Sequence, residues 1–231
     1  MEGKRLRIRP LARSILTIHL LLLLSGFIFG QLNAAPDDED VQQWNDFQVT
    51  ASLTKEVDSF FTATTRFGKN ISRVTEGRIG LGFVYKLNKA FSVSPSYVYI
   101  RARNTAGRYR TENRLSLNAV YRFPVKNFGL SHRSQYEYRI RSTGDSWRYR
   151  PSLTFEKDLP GRWIPKSKFF ITEEPFYIST TRKFSRNRIS VGVKKTVNKN
   201  VSVDVYYMRQ NDGFSHPGDL NVIGTSWKLK F

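Results

Sequence analysis

The chain has 231 residues, with 38 Lys and Arg against 19 Asp and Glu for a formal net charge of +19, and it contains no cysteine. Without cysteine there is no disulfide framework, thiol nucleophile or thiolate metal site, so stability must come from packing or a complete hydrogen-bond network. So large a basic excess points to anionic partners.

The chain opens with Lys4, Arg5, Arg7, Arg9 and Arg13, followed by an apolar run from Ile15 to Phe29 and the small residues Ala34 and Ala35. Charge, apolar core and small residues in that order mark residues 1–35 as a cleavable secretory signal. The run is about 15 residues, short of the roughly 20 that a spanning helix needs. Cleavage is expected after Ala34 or Ala35, with Gly30 as a third site, and the lack of a following cysteine excludes lipoprotein attachment. Residues 36–231 are then one expected domain, retaining 33 basic against 18 acidic side chains. Export removes the chain from nucleic acid and brings it to another polyanion, the phosphates of lipopolysaccharide.

From there the pattern changes to period-2 alternation, interrupted by clusters of Gly, Asn, Asp, Ser and Pro. Strands are predicted near 46–55, 60–68, 76–87, 91–103, 109–123, 129–141, 147–158, 168–178, 184–196, 201–210 and 219–231. A further short piece around Val41 to Trp44 would make the number even, as is usual for bacterial single-chain barrels. The spacing therefore predicts an all-β fold: a transmembrane antiparallel up-and-down barrel of about twelve strands, with ten as the alternative. Tight turns near 55–59, 88–90, 125–127 and 198–200 contrast with longer polar connections at 104–109 and 211–218, the expected difference between periplasmic turns and external loops. Leu159 to Ser167 is read as a structured periplasmic loop.

The last strand ends with Trp227, Leu229 and Phe231 on one face and Lys228 and Lys230 on the other. A terminal aromatic on the apolar face reads as the signal by which the barrel-assembly machinery recognises an outer-membrane protein. That machinery, outer-membrane lipids and lipopolysaccharide are the expected partners, and the bacterial outer membrane is the expected location.

If the apolar face meets lipid, the opposite face turns inward with Arg66, Arg78, Arg110, Arg114, Arg122, Arg133, Arg139, Arg148 and Arg150, and with Glu112, Glu137, Glu156 and Glu174. Guanidinium groups facing lipid would cost about 2–4 kcal/mol each at mid-bilayer, so this assignment follows from energetics. Such an interior either fills a barrel too narrow to conduct, as a salt-bridge ladder, or forms a pore that attracts small anionic solutes. Envelope structure or passive transport is the expected role, with an anion-selective pore as the alternative.

Catalytic candidates are few. His132 and Ser134 form an H-x-S on the outward face, the residue types of a nucleophile and its base, and a lipid hydrolase is the weakest of the three readings. His216 falls in a polar loop. Two separated histidines without cysteine give no metal cluster, and no cofactor is expected. Glu173 and Glu174 are adjacent in a strand and diverge, Glu174 inward and Glu173 expected near a strand end, with Pro175 marking a bulge.

The segments "WNDFQVTASLTKEVDSFFTATTRF", "ENRLSLNAVYRF", "LSHRSQYEYRIR", "RYRPSLTF" and "FFITEEPFYIS" resemble the "domain of unknown function 2490" family of outer-membrane barrels over about residues 44–231. Trp44, Arg66, Glu112 with Arg114, Arg133, Glu137, Arg139 and Glu174 with Phe176 carry the resemblance. It implies a β-barrel envelope protein without an assigned activity, and the chain departs from it at the proline of "TEEPF".

Overall fold

A computed structural model describes residues 39–104, 107–162 and 164–231; the expected signal lies outside them. Eleven strands follow one another: β1 (Glu39–Ser52), β2 (Val57–Gly68), β3 (Arg73–Lys86), β4 (Phe91–Arg103), β5 (Tyr109–Arg122), β6 (Gly129–Arg141), β7 (Ser146–Asp158), β8 (Ser167–Ile178), β9 (Lys183–Thr196), β10 (Val201–Asp212) and β11 (Asp219–Lys230). Each pairs antiparallel with the next, and β1 pairs with β11 to close a barrel.

The all-β barrel is the predicted fold, with a strand count of eleven in place of twelve or ten. Val41 to Trp44 is the first part of β1 and not a separate strand, because its ladders to β2 and β11 run on unbroken through Asn45 and Asp46. In an odd-numbered meander the first and last strands point the same way. Closure must then be parallel, and β1 runs beside β11 from Glu39↔Asp219 to Thr50↔Lys230.

Connection length does not distinguish the two ends. At the end bearing Phe231 the links are 53–56, 87–90, 123–128, 159–166 and 197–200; at the opposite end they are 69–72, 104–108, 142–145, 179–182 and 213–218. The 159–166 link lies at the Phe231 end, with the tight turns. Two of those turns share one construction. The Asn88 side chain accepts from the amides of Ala90 and Phe91 at 2.8 and 2.9 Å, and Asn198 does the same for Asn200 and Val201.

The faces are inverted relative to a soluble protein. Outward-pointing Ile79, Leu81, Leu115, Leu117, Val205 and Ile223 are each at least half exposed, whereas Glu137, Arg114 and Arg148 are buried inside. Part of the interior is nonetheless apolar: Trp44, Met208, Leu220 and Val222 form a buried cluster against which Tyr206 packs. Gly224 makes room for that tyrosine, since a Cβ there would stand 2.0 Å from the ring, and Gly192 accommodates its other side. Phe60 lies over Gly82 and Phe170 over Gly192 in the same way. These three rings thus pack inward from β2, β8 and β10.

Candidate functional site

Neighbouring strands carry charges of opposite sign at matched heights, and this is what assembles the interior. Glu112 on β5 receives two hydrogen bonds from Arg114, at 2.8 and 2.6 Å, and a fork from Arg139 on β6, at 2.9 and 2.6 Å. Glu137 on β6, 1% exposed, is shared by Arg148, by Arg150 at 3.0 Å and by Arg114 at 3.3 Å. Glu174 on β8 takes Arg133, two bonds from Arg150 at 2.9 and 2.8 Å, and Arg188 at 4.0 Å. Planar guanidinium groups suit such shared, two-pronged contacts better than ammonium groups.

Several members of this network lie beyond the expected set. Glu76 bridges Arg66 at 3.1 Å and Arg78 at 2.6 Å. Arg186 bonds Asp212 at 2.7 Å, and Arg188 donates to Gln210 at 2.8 Å. The ring of Phe176, fully buried, has the guanidinium carbons of Arg150 and Arg188 at 4.4 and 4.7 Å and those of Arg148 and Arg186 at 5.5 Å. Trp44 similarly carries Arg66 at 3.4 Å and Arg188 at 4.9 Å. Stacking on a ring face lets a cation remain in a dry interior without a carboxylate of its own. Alternation could have found the missed charges: Glu76 shares a face with Arg78, and Arg186 and Arg188 share one with Ser190.

The network surrounds a cavity of about 270 Å³ at the end opposite Phe231, whose wall includes ten arginines and only Glu76 and Glu112 as acids. The Nε atoms of Arg66, Arg141 and Arg150 are buried there without a hydrogen-bond partner. Arg110 lines this cavity outside the ion pairs. Arg122 and Glu156 belong elsewhere, toward the Phe231 end. Glu156 pairs there with Lys194 beside a second cavity of about 580 Å³, lined by Lys166, Lys168, Lys194, Lys195 and Lys228 against the acids Glu156, Asp158 and Asp204. The two cavities share no wall residue, and Phe60, Phe170 and Tyr206 line neither. The interior is therefore basic at both ends, arginine on one side and lysine on the other.

On the outer wall, His132 Nε2 lies 2.9 Å from Ser134 Oγ, which lies 2.9 Å from the Tyr149 hydroxyl, and the imidazole also meets the Ser152 backbone. The outward carboxylate on that side is Glu173, which sits in mid-strand and not near a strand end. Leu153 separates it from His132 in register, and it accepts from Asn187 at 3.3 Å. At Pro175 the β7–β8 ladder is interrupted, while the register shift of β8 against β9 falls between Phe176 and Tyr177. Trp227, Leu229 and Phe231 share one face of the last strand, and the two aromatics are 47% and 68% exposed. Among the described residues no group of His, Cys, Asp and Glu could hold a metal ion.

An uncharacterized protein of Methylorubrum extorquens is 23% identical over 203 residues, covering 83% of this chain and 89% of the relative. Among solved structures, the NanC porin aligns at 10% identity with a TM-score of 0.49, covering 81% of this chain and 95% of that one. The KdgM porin aligns at 11% identity with a TM-score of 0.42, covering 74% and 90%. An anion-selective porin from Comamonas acidovorans aligns at 14% identity with a TM-score of 0.36, over 73% of this chain and 55% of that one, so the chain spans about half its length. The model of the family described as "Protein of unknown function (DUF2490)" matches residues 41–221, and the chain belongs to that family.

Proposed function

We propose that the protein is an integral outer-membrane barrel with a passive-transport role, whose arginine-lined lumen draws in small anionic solutes. The inverted faces support the membrane placement: an exterior of exposed Leu, Ile and Val around a charged interior is stable only where lipid covers the outside. The observation that carries the transport reading is a cavity wall of ten arginines that share five carboxylates, Glu76 and Glu112 in the wall and Glu137, Glu174 and Asp212 behind it. A ladder serving only to fill the barrel needs its charges matched. Here the surplus, with buried Nε atoms left without acceptors, holds a positive potential that concentrates anions. The role requires no chemistry on the solute.

One observation favours a sealed barrel instead. Phe60, Phe170 and Tyr206 are inward rings packed over glycines of neighbouring strands, and rings that met across the lumen would block ions. The experiment is to express the chain with its leader, purify it from outer-membrane fractions and record currents in a planar bilayer under a salt gradient. Stepwise currents with an anion-selective reversal potential are expected. A folded barrel that stays silent would leave the network as structural filling.

A further inference from the structure

We propose that Arg101 and Arg103, stacked on Tyr109 at the outer rim opposite Phe231, form a binding site for the phosphate of a membrane lipid. This rests on the membrane placement above but not on conduction.

Ile100 and Ala102 line the luminal cavity, so the alternation of β4 turns Arg101 and Arg103 outward. Arg103 is paired with Tyr109 on β5, and the guanidinium carbons of Arg101 and Arg103 stand 4.1 and 4.6 Å from the centroid of that ring. A single aromatic ring therefore holds two like charges side by side. The outward wall gives neither an ion pair among the described residues, and the Nε of Arg103 is buried without a hydrogen-bond partner. Compare Arg209, also outward at this rim, which bonds Glu39 at 2.7 Å and Asp219 at 2.6 Å. Two adjacent guanidinium groups without a counter-charge are arranged for a shared oxyanion, which would accept from both and relieve their repulsion.

Height along the barrel selects the source of that anion. Tyr97, Tyr138 and Trp147 are exposed aromatics on one register row across β4 to β7, with the hydroxyls of Tyr97 and Tyr138 bonded to Asn113 and Asp145. Such bands mark the edge of the hydrocarbon. Arg101 lies four residues beyond Tyr97 on the same strand, about 13 Å along it and about 10 Å along a barrel axis tilted by about 40°. That is headgroup level. With the Phe231 end in the periplasm, the rim meets the outer leaflet, whose lipid carries phosphate on its sugar head.

The test compares the full protein, purified from outer membranes, with its R101Q/R103Q variant. Binding is read by native mass spectrometry against bisphosphorylated lipid A, the same lipid with its phosphates removed, and inorganic phosphate. Heat-modifiable migration on a gel reports that each variant is folded. The wild type is expected to prefer the phosphorylated lipid by at least about tenfold, and R101Q/R103Q to lose that preference, as R110Q, altered inside the barrel, does not. A preference that survives in R101Q/R103Q overturns the proposal. Inorganic phosphate competing on equal terms overturns the lipid assignment. Channel currents of R101Q/R103Q are expected to match wild type, so a silent wild-type barrel that keeps the phosphate preference refutes conduction alone. A chain absent from outer-membrane fractions refutes both.

Discussion

Arg150 fastens itself to Glu174 by two hydrogen bonds, at 2.9 and 2.8 Å, at the level where the backbone ladder between their strands is interrupted. The β7–β8 ladder stops at Tyr149↔Tyr177 and resumes at Leu153↔Glu173, with Pro151 and Pro175 in the gap. Proline has no amide hydrogen to give, so side chains take over the joining of the two strands. Glu174→Gln would remove the one carboxylate shared by Arg133, Arg150 and Arg188. The expected loss is about 3–5 kcal/mol, the cost of leaving buried charge uncompensated, read as a lower urea midpoint in lipid vesicles. Asp158→Asn breaks the exposed pair with Lys168 at 3.6 Å and should cost less than about 1 kcal/mol.

Arg110 and Arg141 line the cavity outside the shared carboxylates; Arg141 donates to the Ser146 hydroxyl at 2.9 Å. Replacing both by Gln removes positive charge without dismantling the network. The unfolding midpoint should stay within about 0.5 kcal/mol of wild type, while the reversal potential under a salt gradient moves toward zero. An unchanged reversal potential in a conducting barrel would put the cavity off the ion path.

Gly224 and Tyr206 form a close joint across β10 and β11. A Cβ at position 224 would overlap the ring, so Gly224→Ala is expected to destabilise the barrel by about 1–3 kcal/mol through overpacking. Tyr206→Val clears the space. The two substitutions together should cost less than the sum of their separate effects, a coupling that a double-mutant cycle in vesicles measures directly. Tyr206→Val should also raise the conductance if the ring limits the pore.

The strand segments were legible because an apolar exterior and a charged interior impose a strict two-residue period. Leu115, Leu117 and Ala119 against Glu112, Arg114 and Ser116 is the clear case. Glu137 and Arg139 were legible as inward residues for the same reason. Their partners were not, because a pairing depends on register between strands, and register is fixed only when the barrel closes. Phe176 and Trp44, singled out only for the family resemblance, were not assigned inward since an apolar ring reads as lipid-facing, although each shares a face with inward polar residues, Glu174 and Gln42. Parity misled the strand count. The expectation of an even number presumes antiparallel closure, whereas β1 and β11 close in parallel with an unbroken register.

At that seam the backbone and the ring of Phe231 can be tested separately. The Phe231 amide donates to the Thr50 carbonyl at 2.9 Å, and its own carbonyl accepts from Ser52 at 3.1 Å, so the backbone of the last residue helps lock the barrel. The residue is 68% exposed, so its ring adds little to that closure. Phe231→Ala keeps both backbone bonds and loses the ring. The refolded variant should therefore unfold within about 0.5 kcal/mol of wild type, while the amount of heat-modifiable barrel in cell outer membranes falls. Deleting Phe231 removes ring and bonds together and should lower both quantities, the midpoint by about 1–2 kcal/mol for two lost hydrogen bonds. If Phe231→Ala assembles in cells as well as wild type, the aromatic is not an insertion signal and the terminal residue acts through its backbone alone.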